Sequence, residues 1–216
     1  NASGRILGTD FADGSVVRNV FDANNRLILI TDRAPVGSQP DGTRVIYDAL
    51  SRPVRVERIA DVVVNVVTQQ NLLSTVFAGS GPVISFVETN YDAASRPIGV
   101  LSSDGRGMSM EYDAAGRRTA VVQFQGGTTN RAEFEYDALG NLVTVRDPLN
   151  RETRFFYDPA RRRTRTIFAD GTSERVAYSP LGQKTNQVDA LGLSRSFEYD
   201  AFGHATAVTL PPVPDP

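Results

Sequence analysis

Along most of the chain, apolar and polar residues alternate in short segments bounded by turn-forming residues. Seven tyrosines mark these segments. Two residues before a tyrosine, and so on the same face of an extended strand, stand Val45, Met110, Phe134, Phe155, Val176 and Phe197. Asn19 and Thr89 interrupt the row. The residue immediately before, facing the other way, is acidic at Glu111, Glu135 and Glu198 but apolar at Val20, Ile46 and Phe156. One face is therefore consistently apolar and the other mixed, as in half-buried strands. No stretch keeps a helical period with caps.

The turns repeat in phase with the tyrosines. Tyr47, Tyr91, Tyr112, Tyr136, Tyr157, Tyr178 and Tyr199 are spaced by 44, 21, 24, 21, 21 and 21 residues. Six precede an aspartate (Asp48, Asp92, Asp113, Asp137, Asp158, Asp200) and one precedes Ser179. Phe21-Asp22 opens a further copy. In Asp113 to Gly116, Asp137 to Gly140 and Asp200 to Gly203, and at Gly182, aspartate or serine can bond its own backbone while glycine accepts the positive φ that ends a type I turn. A second signal lies half a period later, at Asp104-Gly105, Asp147 to Asn150, Asp170-Gly171 and Asp189 to Gly192. Turns at both ends of each strand predict an all-β antiparallel meander of tandem hairpins. Pro53 and Pro97 cannot donate to a ladder and are expected at strand starts or irregular pairings. The gap of 44 is two periods long and predicts a degenerate copy near 62–76, with Val66 in the tyrosine's place. The array then covers 10–208, eight clear copies and one decayed one, between a lead-in (1–9) that begins with an Asn1-Ala2 tag remnant and a truncated Pro-rich tail (209–216).

Tyr112-Asp-Ala-Ala-Gly-Arg117 and Tyr136-Asp-Ala-Leu-Gly-Asn141 resemble the YD repeat of the Rhs family, which includes bacterial Rhs polymorphic toxins, insecticidal toxin complexes and animal teneurins. The two Ser-Arg-Pro copies and Arg161 lack the family glycine, which leaves their turn geometry open. The resemblance implies that the strip curves into part of a hollow shell enclosing a C-terminal toxin, in a secreted or cell-surface bacterial protein. Its partners would be adjacent repeats and the enclosed toxin of the same parent chain. The alternative is an adhesion module whose sheet binds a carbohydrate or surface receptor. In the family an aspartate-dependent self-cleaving segment follows the repeats; it is not in this chain, so no catalytic residue is carried over.

Composition narrows the picture little. A net charge of −2 argues against nucleic acid, and the absence of cysteine excludes disulfides and thiolate metal sites. The densest apolar run, Val62 to Val67, is too short to span a bilayer, so no membrane insertion is expected. Arginine outnumbers lysine 22 to 1, which reads as codon bias of a G+C-rich genome rather than anion recognition. His204, the only histidine, reads as an exposed turn residue rather than a catalytic base. The repeated aspartates read as turn caps rather than acid–base pairs or a calcium ladder. Arg161 to Arg165 reads as a solvated strand face, and Gly79 to Pro82 as a turn. The tyrosines read as a core row with mostly buried rings whose hydroxyls reach a polar edge, with sugar stacking as the alternative. No cofactor, metal or catalytic site is expected. An apolar face without a helix to cover it predicts either closure of the strip on itself or self-association of the fragment.

Overall fold

The computed structural model describes residues 7–69 and 72–210, with side chains outside 66–75. The expected tag remnant and residues 211–216 of the tail lie outside the described residues. Regular structure among the described residues is strand throughout. Two compact units are formed, Asn1–Met110 with Gln123–Thr129, and Glu111–Val122 with Asn130–Pro216.

The first unit contains β1 (Gly8–Asp10), β2 (Ser15–Phe21), β3 (Leu27–Thr31), β4 (Ala34–Pro35), β5 (Gly42–Tyr47), β6 (Pro53–Ile59), β7 (Val63–Gln69), β8 (Leu72–Gly79), β9 (Val83–Tyr91) and β10 (Pro97–Ser102). β11 (Gly107–Tyr112), β12 (Arg118–Gln125) and β13 (Thr128–Tyr136) contribute residues to both units. The second unit continues through β14 (Leu142–Arg146), β15 (Glu152–Tyr157), β16 (Arg163–Ile167), β17 (Ser173–Tyr178), β18 (Lys184–Val188), β19 (Ser194–Tyr199) and β20 (Ala205–Thr209). From β13 to β20 every strand pairs antiparallel with the next. This is the meander that the spacing predicts.

Each tyrosine is the last residue of its strand, and the ladder slips just before it: Glu135 pairs with Thr144, but Tyr136 pairs with Leu142. The same slip recurs at Tyr47, Tyr157, Tyr178 and Tyr199, and at Phe21. The extra residue is a β-bulge, which bends the strand into its turn. Pro53 and Pro97 are the first residues of β6 and β10, where a missing N–H costs least. The copies without glycine keep the common turn: Ser51, Ser95 and Arg161 take φ of 63°, 62° and 63° where Gly116 and Gly140 take 82° and 85°.

Burial is concentrated in the first unit. Val20, Leu29, Ile59 and Val62 form a buried cluster, with Ile28, Val64 and Phe77 packed against it. Val64 and Phe77 come from β7 and β8, which pair with one another in a two-stranded sheet of their own. β6 meanwhile pairs directly with β9, Arg55 opposite Glu88 and Val56 opposite Val87. The segment expected to hold the degenerate copy is thus a hairpin set outside the meander, supplying the apolar cover that no helix provides. The side chain of Val66 lies outside the described residues. In the second unit, β14 to β20 carry only one buried side chain, the polar Thr166.

Candidate functional site

The groups that recur are those of the tyrosine turn, and they are built from the aspartate outward. One carboxylate oxygen of Asp48 accepts from the backbone N–H of Leu50 (2.9 Å) and of Arg52 (3.0 Å), which closes the loop. The other oxygen takes Nε–H of Arg52 at 2.7 Å. Asp22–Arg26, Asp92–Arg96, Asp113–Arg117 and Asp158–Arg162 repeat this clasp at 2.6–2.7 Å. In Asp22, Asp92, Asp113 and Asp158 the backbone N–H four residues on, assisted by the guanidinium, holds the carboxyl below its ordinary 3.8 against the opposing effect of desolvation.

The same arginine then reaches the next copy. Nη1 of Arg52 donates to the carbonyl of Asp92 (3.1 Å), that of Arg117 to Asp137 (3.1 Å), and that of Arg162 to Ser179 (3.0 Å). Each guanidinium also lies over the next tyrosine ring: Arg26 on Tyr47 at 4.7 Å, and Arg52 on Tyr91, Arg117 on Tyr136 and Arg162 on Tyr178 at 4.8 Å. The tyrosine answers in the opposite direction. Its hydroxyl donates to the carbonyl of the residue that follows the arginine position, as Tyr47 does to Leu27 (3.0 Å), Tyr91 to Pro53 (3.1 Å), Tyr136 to Arg118 (3.0 Å), Tyr157 to Leu142 (2.8 Å) and Tyr178 to Arg163 (3.3 Å). Where the arginine is present, the junction is a reciprocal latch. Two hydrogen bonds at about 1 kcal/mol each and a cation–π contact of about 0.5–1 kcal/mol are its working parts.

The tyrosines are partly buried, with most of each residue's surface covered. At Tyr47, Tyr91, Tyr136 and Tyr178 the latch supplies part of that cover: an arginine lies on one face and the hydroxyl is bonded to a carbonyl. The arginines missed as functional residues have a clear signal in retrospect. Arg26, Arg52, Arg96, Arg117 and Arg162 all stand five residues after Phe21 or a tyrosine. Codon bias can supply arginines but not this phase, so these five carry a structural role whatever the source of the excess.

Asn141, Gln183 and His204 take the arginine's place in three copies. Asn141 keeps the clasp with Asp137 at 2.8 Å. His204 places Nδ1 3.0 Å from Asp200 with its side chain 79% exposed, the exposed turn residue expected. No third group orients a nucleophile there. Among the described residues, no group of three or more His, Cys, Asp or Glu gathers as a metal-binding set.

The opposite face of the second unit is charged. Arg131 takes both oxygens of Glu111 (2.6 and 2.9 Å) and also Glu133 (2.9 Å); Arg146 joins Glu133 (2.9 Å) to Glu152 (3.0 Å), which also pairs with Arg154. Charges alternate along this chain of side chains from β11 to β15. That mutual pairing, together with the clasps and latches, engages eight of the 22 arginines inside the molecule.

The RHS Repeat family matches residues 136–173 and 178–211. Toxin protein Tse5 of Pseudomonas aeruginosa is 34% identical over 119 residues, 50% of this chain and 8% of that protein. Double-stranded DNA deaminase toxin A of Burkholderia cenocepacia is 31% identical over 130 residues, 58% of this chain and 9% of that protein. The chain thus spans less than a tenth of the length of these relatives. Among solved structures, TcdB2-TccC3-Cdc42 aligns with a TM-score of 0.51 and 14% identity over 95% of this chain and 12% of that one. TcdB2-TccC3 aligns with a TM-score of 0.51 and 15% identity, covering 96% and 13%. The fold is the same in both.

Proposed function

From the premise that this chain carries Rhs repeats, we propose that it is a structural wall segment of a much longer secreted bacterial protein, and that the wall encloses a C-terminal toxin. The observation that carries this reading is the reciprocal latch. Tyrosine, arginine and aspartate, the groups best suited to bind or catalyse, are turned toward the neighbouring repeat at one junction after another. Such a device extends a sheet rung by rung. The toxin names of the two relatives, which this chain matches over a small share of their length, support the placement within a toxin protein.

The segment performs no chemistry of its own. Its one histidine is occupied by a turn aspartate and exposed to solvent. Ester, peptide or glycoside hydrolysis that disappears on His204→Ala would overturn this. A carbohydrate-binding role would need tyrosine faces open for stacking, whereas at four junctions an arginine lies on the ring.

The wall reading is tested by protease protection of the full-length parent protein. The segment downstream of the repeats should resist cleavage in the intact protein and become cleavable when Arg52, Arg117 and Arg162 are all replaced by alanine. Equal cleavage in both would overturn the reading.

A further inference from the structure

The fold deals with cross-strand arginines in one recurring way, by seating a carboxylate between two of them. Glu133 accepts from Arg131 and Arg146, both at 2.9 Å, and Glu152 lies between Arg146 and Arg154. In the first unit Glu57, whose side chain is 4% exposed, lies between Arg44 and Arg55. This alternation stops at β16 and β17. There Arg165 and Arg175 stand directly opposite one another in the ladder, and neither meets an acid among the described residues. Like charges placed so repel one another. The Nε–H of Arg165 is closed off from solvent with no hydrogen-bond acceptor.

Along that face of β15 stand Glu152 and Arg154, already paired with each other, and then Phe156. Phe156 pairs with Arg165 from the other side, keeps 43% of its surface exposed, and has its ring 6.0 Å from the guanidinium. Beyond Arg175 the same face continues with Val188, then Ala177 and Asn186. Two unpaired guanidinium groups beside an exposed aromatic ring thus occupy the position where the rest of the sheet places a glutamate.

We propose that Arg165 and Arg175 form a binding site for a carboxylate side chain of a polypeptide segment that lies on this face of β15 to β17, with Phe156 as its apolar contact. The fold supplies the template: Arg44 and Arg146 each face a glutamate across the ladder, and that glutamate shares its two oxygens with a second arginine two residues along its own strand. This inference stands on the ladder geometry and is independent of the wall reading. Of the run Arg161 to Arg165, only Arg165 takes part, since Arg161 closes a turn and Arg162 serves a latch.

The test uses the full 216-residue chain and a fluorescently labelled, end-blocked peptide of alternating glutamate and valine, followed by anisotropy at low salt. The peptide should bind. Replacing its glutamates by glutamine, or Arg175→Gln in the protein, should weaken binding by about tenfold or more. Arg151→Gln, which removes an equal charge at a turn already paired with Asp147, should leave it unchanged. Absence of binding, or equal loss with Arg151→Gln, overturns the site. Inorganic phosphate binding as tightly as the peptide would make this a general anion patch and overturns the polypeptide assignment. Independently of any ligand, Arg175→Glu restores the alternation and should raise the midpoint of thermal unfolding while abolishing peptide binding. A lowered or unchanged midpoint would show that the pair lacks no carboxylate, and overturns the proposal.

Discussion

The residue that closes each tyrosine turn must adopt a positive φ, which costs a side-chain-bearing residue on the order of 1 kcal/mol relative to glycine. Ser51 and Ser95 offset this, because each hydroxyl accepts from the arginine of the preceding copy, Arg26 at 3.0 Å and Arg52 at 3.1 Å. Arg161, at φ 63°, has no hydrogen bond of this kind among the described residues and reaches the preceding turn only through its charge near Asp137. Arg161→Gly is therefore expected to stabilise the chain by about 1 kcal/mol in urea unfolding, whereas Ser51→Gly should gain little or lose. The tyrosine hydroxyls allow an equally sharp comparison. Tyr157 donates to Leu142 at 2.8 Å, while Tyr199, which follows the copy with Gln183, shows no such bond. Tyr157→Phe should cost about 1 kcal/mol and Tyr199→Phe close to nothing; equal losses would mean that the ring, not the hydroxyl, carries the junction. Much of this was legible in the sequence, since tyrosine, aspartate and glycine recur in fixed phase. The latch was not, because pairing a tyrosine with an arginine some twenty residues earlier requires knowing which strands are neighbours.

At the scale of the elements, the turn clasp makes folding sensitive to acid. Asp92, Asp113 and Asp158 titrate below 3.8 in the fold, and near 3.8 once the chain is unfolded and the backbone N–H groups are hydrated. A carboxyl with a depressed folded pKa contributes its full stability above the unfolded value and loses it as pH falls through the folded one. Unfolding by denaturant, measured across a pH series, should show constant stability near neutrality and a decline below about pH 4. Asp158→Asn should lower stability at neutral pH and flatten that decline. The excursion of β7 and β8 is a different kind of element. Its residues fill a gap of two periods, so counting along the chain suggests one more rung, yet the strand that continues the sheet after β6 is β9. Spacing reports how many residues intervene and carries no information about which edge pairs with which. Phe77 packs on the buried cluster as a half-exposed ring, so Phe77→Ala should cost about 2 kcal/mol. The loss should appear in hydrogen exchange at β2, β3 and β6 and leave β14 to β20 unaffected.

For the whole molecule, the two units hold themselves together by different means. The first has an apolar cluster of Val20, Leu29, Ile59 and Val62. The second depends on turn clasps, latches and an exposed run of ion pairs, and exposed pairs contribute at most about 1 kcal/mol each. Stability in a repeat array is a sum over neighbouring interfaces, so opening is expected to be graded along the chain. Native-state hydrogen exchange should find the slowest amides in β2, β3, β5 and β6 and the fastest in β19 and β20, the last of which is exposed along its length. Uniform protection across all strands would contradict a graded array.

The reciprocal latch also gives the array a direction in time. The arginine of one copy acts on the tyrosine of the copy that follows, and that tyrosine bonds back to a carbonyl already in place. At a ribosome, each finished rung would therefore present a half-built receptor to the one emerging behind it. The partners are separated by 15 to 20 residues at most junctions, so a newly made copy needs nothing downstream of itself in order to dock. Synthesis from the N-terminus and growth of the sheet run the same way, and a long wall can be laid down without waiting for its far end.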